Sequence, residues 1–403
     1  MNNKKIAILT LYYENNNYGG LLQAYTLTKY LNDMGFSAKQ ICYKRELPSR
    51  KDRISEIMKL PFTNRIKALI RFQQSSIQDM CCELISKKYE DSIKLRINSL
   101  QIFAKSIPHT SLVYNYSNIK EIESDFDIFI CGSDVVWNAG IKPDIAALGF
   151  IKDKYKMSYA PSIGMEIPSV KWIKEYTPFL LQLNALSFRE NSVTIAVKNS
   201  GIKKELQTVV DPVFLLNKLE WESLLPDFEC CKERYIFCYL LGDSDIQRKR
   251  IIEFARKNNL KIITFPYVEN NKYRRCDSKF GDFKLYKCTP LEFLRILKES
   301  TIVISDSFHA IAFSHIFNVN FRAISRTKNK RNSGINGRVQ NLLSISNNKE
   351  MFISDEKIKM IDLRVKPDFS AYEKNMPKLI NESKKYIQKS LDNAMLMTID
   401  TER

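Results

Sequence analysis

Apolar runs of three to seven residues recur along the chain, and each breaks off in small, polar or charged residues. Lys5 to Leu11 (KIAILTL) is the first and Ala38 to Tyr43 the second. Between them Leu21 to Met34 is amphipathic at helical spacing and closes on Gly35, so this opening reads as a βαβ unit. The series continues with Asp127 to Cys131, Lys156 to Ala160, Ala185 to Phe188 and Thr208 to Val210. These four end in Gly132-Ser133-Asp134, Pro161-Ser162-Ile163-Gly164, Arg189-Glu190 and Asp211-Pro212, and ligands bind at such carboxyl-end loops in an open α/β sheet. After Trp221 the pattern restarts. Tyr235 to Leu241 and Lys261 to Phe265 read as strands, Asp245 to Lys257 as a helix, and Pro290 to Glu299 as a helix with proline at its start. The fold class is α/β, with a first domain over residues 1–217 and a second over 218–366. Within 367–403, Ser370 to Met395 reads as a long terminal helix that could cross back to the first domain.

One stretch organises the second half. Ile302-Val303-Ile304 is a buried parallel strand by pattern, Ser305-Asp306-Ser307 is a polar turn, and helical spacing begins at His309. Asp306 or Ser307 could cap this helix. A strand running into a helix N-terminus gathers unpaired N–H groups and the positive end of the helix dipole, which suits an anion. His309 falls in that first turn, in a chain with three histidines. A lone histidine beside apolar residues is commonly structural; its place after a strand is what favours chemistry. His315, six residues on, lies about 240° round the helix and reads as a packing residue.

Charge narrows the partners. The chain has 403 residues and a net charge of +18, which calls for an anionic partner, although no nucleic-acid motif is present and none is expected as a ligand. From Lys44 to Lys105 the text is helical and basic, with 14 Lys or Arg against 7 Asp or Glu and an apolar stripe of Ile54, Ile57, Met58, Leu69, Ile70 and Phe72. This excursion reads either as a solvated face or as a surface resting on anionic lipid. Between Phe317 and Lys349 there is no acidic residue, while Arg322, Arg326, Lys328, Lys330, Arg331 and Arg338 all fall there. So close to His309, that run is a candidate phosphate-binding segment. The nine cysteines show no CxxC spacing, so neither a zinc site nor a disulfide framework is expected, and the compartment reads as reducing. Neither a signal peptide nor an apolar span of 18 residues is evident, and the expected location is cytoplasmic. Gly19-Gly20 after the first strand lacks both Rossmann spacing and a P-loop lysine and reads as a tight turn.

Several short blocks, in order, resemble the polysaccharide pyruvyl transferase family. They are Asn17-Tyr18-Gly19-Gly20-Leu21-Leu22-Gln23-Ala24-Tyr25, Gly132-Ser133-Asp134-Val135-Val136-Trp137-Asn138, and Ser158-Tyr159-Ala160-Pro161-Ser162-Ile163-Gly164. Ser187-Phe188-Arg189-Glu190, Asp211-Pro212 and Ser305-Asp306-Ser307-Phe308-His309 complete the set. The chain departs from the family at Val135, where Gln is usual, and at Ser307, where some members carry Arg. The resemblance implies two Rossmann-like domains arranged as in GT-B glycosyltransferases, with the active site in the interdomain cleft. It implies phosphoenolpyruvate as co-substrate and a sugar of a surface-polysaccharide precursor as acceptor, with no other cofactor and no metal expected. His309 and Arg189 would be catalytic. Ser305, Ser307, Arg326, Arg331 and Arg338 would hold the donor, the basic run replacing the Arg absent at Ser307. Asn17, Tyr18, Gly19, Gly20, Gln23, Gly132, Ser133, Asp134, Trp137, Ser162 and Gly164 would line the cleft on the acceptor side. The acceptor could be linked to polyprenyl diphosphate, which would bring the protein to the inner face of the cell membrane. A GT-B-type glycosyltransferase using a nucleotide sugar shares the implied fold and a basic cleft, and remains the competing class.

Overall fold

Strand β1 (Lys5–Leu9) buries Ile6, Ala7, Ile8 and Leu9 completely, as a central strand covered on both faces must. In the computed structural model, which describes residues 4–46, 50–138, 140–165, 167–268, 272–326 and 333–401, β1 is the middle of a five-stranded parallel sheet. Its neighbours are β2 (Ser37–Tyr43), β3 (His109–Tyr114), β4 (Ile128–Cys131) and β5 (Tyr155–Ser158), in the order β3-β2-β1-β4-β5. Strands β6 (Leu186–Phe188) and β7 (Leu206–Thr208) form a parallel pair that continues from β5 through a bridge between Met157 and Ala185.

The second domain repeats the plan. Its strands are β8 (Tyr235–Tyr239), β9 (Lys261–Thr264), β10 (Phe283–Lys284), β11 (Ile302–Ser305), β12 (Phe321–Ile324) and β13 (Phe352–Ile353). The order β10-β9-β8-β11-β12-β13 is all parallel and has the Rossmann pattern of strands running out from the first and then reversing. The two sheets make the protein a pair of Rossmann-like α/β domains, GT-B-like in layout.

Strands β3, β10, β12 and β13 have no counterpart in the apolar runs. Two are two-residue edge strands, and β3 leaves Leu112 and Val113 exposed at a sheet edge. In β12 an arginine interrupts the pattern. Arg322 is buried because its guanidinium donates to Asn320 Oδ1 (2.9 Å) and to the carbonyls of Phe321 (2.6 Å), Asp362 (3.3 Å) and Val365 (2.8 Å). It ties the outer edge of the sheet to the segment beyond it and is not part of the basic site expected from the sequence.

A large apolar cluster joins the domains, and Ile93 packing on Val268 and Tyr273 adds a smaller one. Leu21, Leu22, Leu100 and Phe103 from the first meet Phe237, Phe265, Phe293 and Phe313 from the second. An interface of this character resembles a core rather than a hinge. The helix Ser370–Thr401 then returns to the first domain, where Tyr386, Ile387 and Leu391 pack with Ile6, Ile8 and Met157, and Tyr386 Oη donates to Ser158 O at 2.8 Å. Among the described residues no helix is long and apolar enough to cross a membrane.

Candidate active site

His309 enters from the second domain and meets Asp211 and Gly19 of the first. The helix Phe308–Ile316 follows β11 directly, as the strand–turn–helix text indicates. Ser307 is its N-cap by position, but the Ser307 side chain makes no capping bond. Asp306 does not cap this helix either: its carboxylate accepts from the N–H groups of Leu241 (2.8 Å) and Gly242 (2.6 Å), clamping the end of β8. Ser305 Oγ donates to Tyr239 O and accepts from Ser307 N at 3.1 Å, so it fixes the turn rather than presenting a hydroxyl to a ligand.

Asp211 is the hub. It follows β7, and its Oδ1 accepts from Val213 N (3.2 Å) while Oδ2 accepts from Arg189 Nη1 and from Ser133 Oγ (3.4 Å). His309 Nε2 faces the same Oδ2 at 3.6 Å. Burial alone would push the Asp211 carboxyl up, yet His309, Arg189 and the Val213 N–H hold it well below the usual carboxylate range. Asp211 is therefore a fixed anion that orients the Arg189 guanidinium and the His309 ring.

Arg189 sits just past β6, fully enclosed, with Glu190 Oε1 3.7 Å from its Nε. Burial opposes its charge, but Asp211 and then Glu190 raise its pKa above the ordinary arginine value. Glu190 Oε1 also accepts from Ser162 Oγ, whose hydroxyl in turn receives Gly164 N at 3.0 Å. Gly164 takes a left-handed φ of 65° in that turn.

Two further arginines complete a cationic wall. Arg338, on the helix Ser333–Ile345, is buried, and burial together with Arg189 and Arg326 lowers its pKa to about 10. The guanidinium carbons of Arg189 and Arg338 stand 5.1 and 6.0 Å from the centre of the Phe308 ring. Arg326 donates from Nη2 to Asp306 O at 3.1 Å. Among the described residues, Arg189 Nε and Nη2, Arg326 Nε, Arg338 Nε and His309 Nε2 are buried without a hydrogen-bond partner. Carboxylates stand 3.6–3.9 Å from three of these nitrogens (Glu190 from Arg189 Nε, Asp211 from His309 Nε2, Asp306 from Arg326 Nε), whereas Arg189 Nη2 and Arg338 Nε have none. Leaving a buried polar group unpaired costs about 1–3 kcal/mol, more when charged, so these two mark a place suited to an anion. Arg331 lies outside the described residues.

Gly19 and Gly20 are not a turn. They form the first turn of the helix Tyr18–Asp33, which begins three residues earlier than its apolar pattern suggests, with Asn17 Oδ1 capping it through Gly19 N (3.0 Å) and Gly20 N (3.3 Å). A Cβ on Gly19 would overlap the His309 imidazole, with Cε1 at 2.8 Å, and one on Gly20 would come 3.2 Å from Asp134 Oδ2. Both glycines let a helix N-terminus approach the site closely.

Four residues expected in the cleft belong elsewhere. Trp137 is buried in the first domain's core against Phe188, and its Nε1 donates to Ala146 O at 3.0 Å. Gly132 packs on Thr10 and Ile8, where a side chain would not fit. Tyr18 is a domain anchor: it stacks on Phe293 at 4.1 Å, donates to Cys288 O at 3.0 Å and carries the Arg96 guanidinium 3.8 Å above its ring. Gln23 is fully buried and donates to Gly20 O at 2.8 Å. Conversely, Asp211 and Glu190, which the matching blocks contain without an expected role, lie at the centre of the site. An acid at a strand's carboxyl end beside an arginine was the available signal.

A family model described as polysaccharide pyruvyl transferase matches residues 17–328. Comparison with curated proteins gave no match. Among solved structures, the UDP-GlcNAc 2-epimerase from Methanocaldococcus jannaschii is 12% identical, with 90% of this chain and 93% of that chain covered at a TM-score of 0.47. MnaA from S. aureus, in a co-structure with UDP, is 10% identical over 96% and 97% at 0.49. MurG from Acinetobacter baumannii is 8% identical over 98% and 99% at 0.40.

Proposed function

The chain belongs to the polysaccharide pyruvyl transferase family, and from that premise we propose that it transfers pyruvate from phosphoenolpyruvate to two hydroxyls of one sugar. The product is a cyclic ketal on a surface-polysaccharide precursor, and phosphate is released. The observation that carries this reading is the convergence of Arg189, Arg326 and Arg338 beside His309, with Arg189 Nη2 and Arg338 Nε buried and lacking a hydrogen-bond partner among the described residues. Phosphoenolpyruvate is a compact trianion with a carboxylate and a phosphate, and planar guanidinium forks match both groups.

The chemistry assigns one proton donor. His309 delivers a proton to the enol methylene, C2 becomes electrophilic, and the first sugar hydroxyl adds there and gives up its proton. The C2–O bond to phosphate then breaks, the second hydroxyl adds, and phosphate departs with one of the two hydroxyl protons. The other hydroxyl proton replaces the one His309 gave, so the cycle closes with no net proton change. Asp211 holds the imidazole in position and offsets its charge while it carries the proton. Arg189, Arg326 and Arg338 stabilise the leaving phosphate without a divalent ion or other cofactor. We assign Ser133, Asp134, Ser162 and Gly164, with the Gly19-Gly20 helix end, to the acceptor side. We place the acceptor on a polyprenyl diphosphate carrier and the reaction in the cytoplasm, a reading favoured by the basic excess of the chain.

The test measures phosphate release from phosphoenolpyruvate against a panel of lipid-linked and nucleotide-linked sugars. Release is expected only with acceptor. His309→Ala should lower kcat by about 10²–10⁴, and Arg189→Ala should mainly raise KM for the donor. Consumption of a nucleotide sugar with no phosphoenolpyruvate requirement would overturn the reading.

A further inference from the structure

We infer that the two helices projecting from the first domain form a docking surface for an anionic lipid bilayer. The helix Glu90–Ser106 fastens the excursion to the body of the protein, Leu100 and Phe103 in the cluster shared by the domains and Ile93 against Val268 and Tyr273 of the second, all buried. The preceding helix Arg50–Met58 and the first half of Phe62–Lys88 do the opposite, while the end of the latter is held by Ser86 Oγ, which accepts from Tyr273 N at 2.7 Å. Phe62 is 72% exposed, Ile66 44%, Leu69 38% and Ile70 53%, and Ile54, Met58 and Leu60 beside them are exposed too. Contiguous exposed apolar groups of this size mark a contact surface, unlike the single ones scattered on any protein.

Their angular placement is that of an interfacial helix. At 100° per residue, Phe62, Ile66, Leu69 and Ile70 fall within about 100° of the helix circumference. Arg65 and Lys67 stand on the two flanks of that stripe, where long basic side chains reach headgroup phosphates while the stripe enters the acyl boundary. Residues 57–78 include four Lys or Arg and no Asp or Glu. Lys59 is partly offset by Glu56 at 2.5 Å, but Glu56 lies outside that span.

Charge decides the occupant. A second copy of this chain would bring two such basic flanks together in a protein already at +18, whereas an anionic leaflet complements them. The inference is independent of the reaction, because binding to lipid needs no turnover.

The experiment is flotation of the full chain with vesicles of phosphatidylcholine alone or mixed equally with phosphatidylglycerol. The protein should float with the mixed vesicles, lose much of that binding in high salt, and stay down with phosphatidylcholine. Each basic residue at such a surface contributes about 1 kcal/mol, so Arg65→Gln with Lys67→Gln should weaken binding about 30-fold. Phe62→Ser with Ile66→Ser should abolish it, and both of these residues are exposed enough to leave the thermal midpoint unchanged. No flotation on mixed vesicles, equal flotation on both, or variants that float like the parent would overturn the inference. So would a sedimentation dimer that Phe62→Ser with Ile66→Ser disperses in a protein that does not float, because a second copy then covers the face.

Discussion

Gly19→Ala tests the site at the place where the two domains touch. The added Cβ would overlap Nδ1 and Cγ of His309, with Cε1 at 2.8 Å, whereas ordinary contact begins at 3.4 Å. The ring or the helix Tyr18–Asp33 must retreat by roughly 1.4 Å, and a misplacement of about 1 Å at a reacting group can cost about 10²-fold in rate. Gly19 lies on the first turn of a helix capped by Asn17, so alanine suits the backbone there and the fold should persist. We expect kcat for phosphate release to fall about 100-fold, with far-UV dichroism and thermal midpoint close to the parent. The double variant Gly19→Ala/His309→Ala should be no slower than His309→Ala alone, because the methyl then occupies space the imidazole has left. A Gly19→Ala enzyme with near-parental kcat, or losses that multiply in the double variant, would refute the placement of His309 as the reacting group.

Three other outcomes follow from the same geometry. Arg338→Met removes a cation buried beside Arg189 and Arg326, so it should raise the thermal midpoint of the ligand-free protein while weakening phosphoenolpyruvate binding; a fall in both measured by calorimetry would contradict this. His315 is buried with its pKa lowered to about 4 by desolvation, Nδ1 donating to Ile311 O (2.8 Å) and Nε2 accepting from Ser346 Oγ (2.9 Å). The unfolded chain takes that proton near pH 6.5 and the folded chain does not, so stability is full above pH 6.5 and falls by about 3 kcal/mol toward pH 4. Urea unfolding across that range should lose this slope in His315→Gln, with kcat unchanged. Exhaustive chelation should leave turnover intact, since Arg189, Arg326 and Arg338 converge on the proposed donor site; activity that vanishes and returns with Mg²⁺ would show that they do not suffice.

The Rossmann alternation was legible because it is local. A buried parallel strand must be apolar on both faces, so KIAIL, IFIC and IVIS announce themselves, and the helices at Asp245–Lys257 and Pro290–Glu299 begin and end where their caps do. The same logic placed His309 on the first turn after a strand. What those patterns left open depends on which way a side chain points once distant segments meet. Trp137 and Tyr18 share blocks with Ser133 and Gly19, yet one pair is held by core and domain contacts while the other faces Asp211 and His309. Arg322 and Arg338 belong to one basic run, but carbonyls on the outer edge of the sheet satisfy the first and the second is turned toward Arg189. Asp211 and His309 are 98 positions apart and meet because two sheets close on one apolar core. Sequence determined which residues end strands; only the packing of one domain against the other decided which of those ends share a site, since burial and charge act through space and not along the chain.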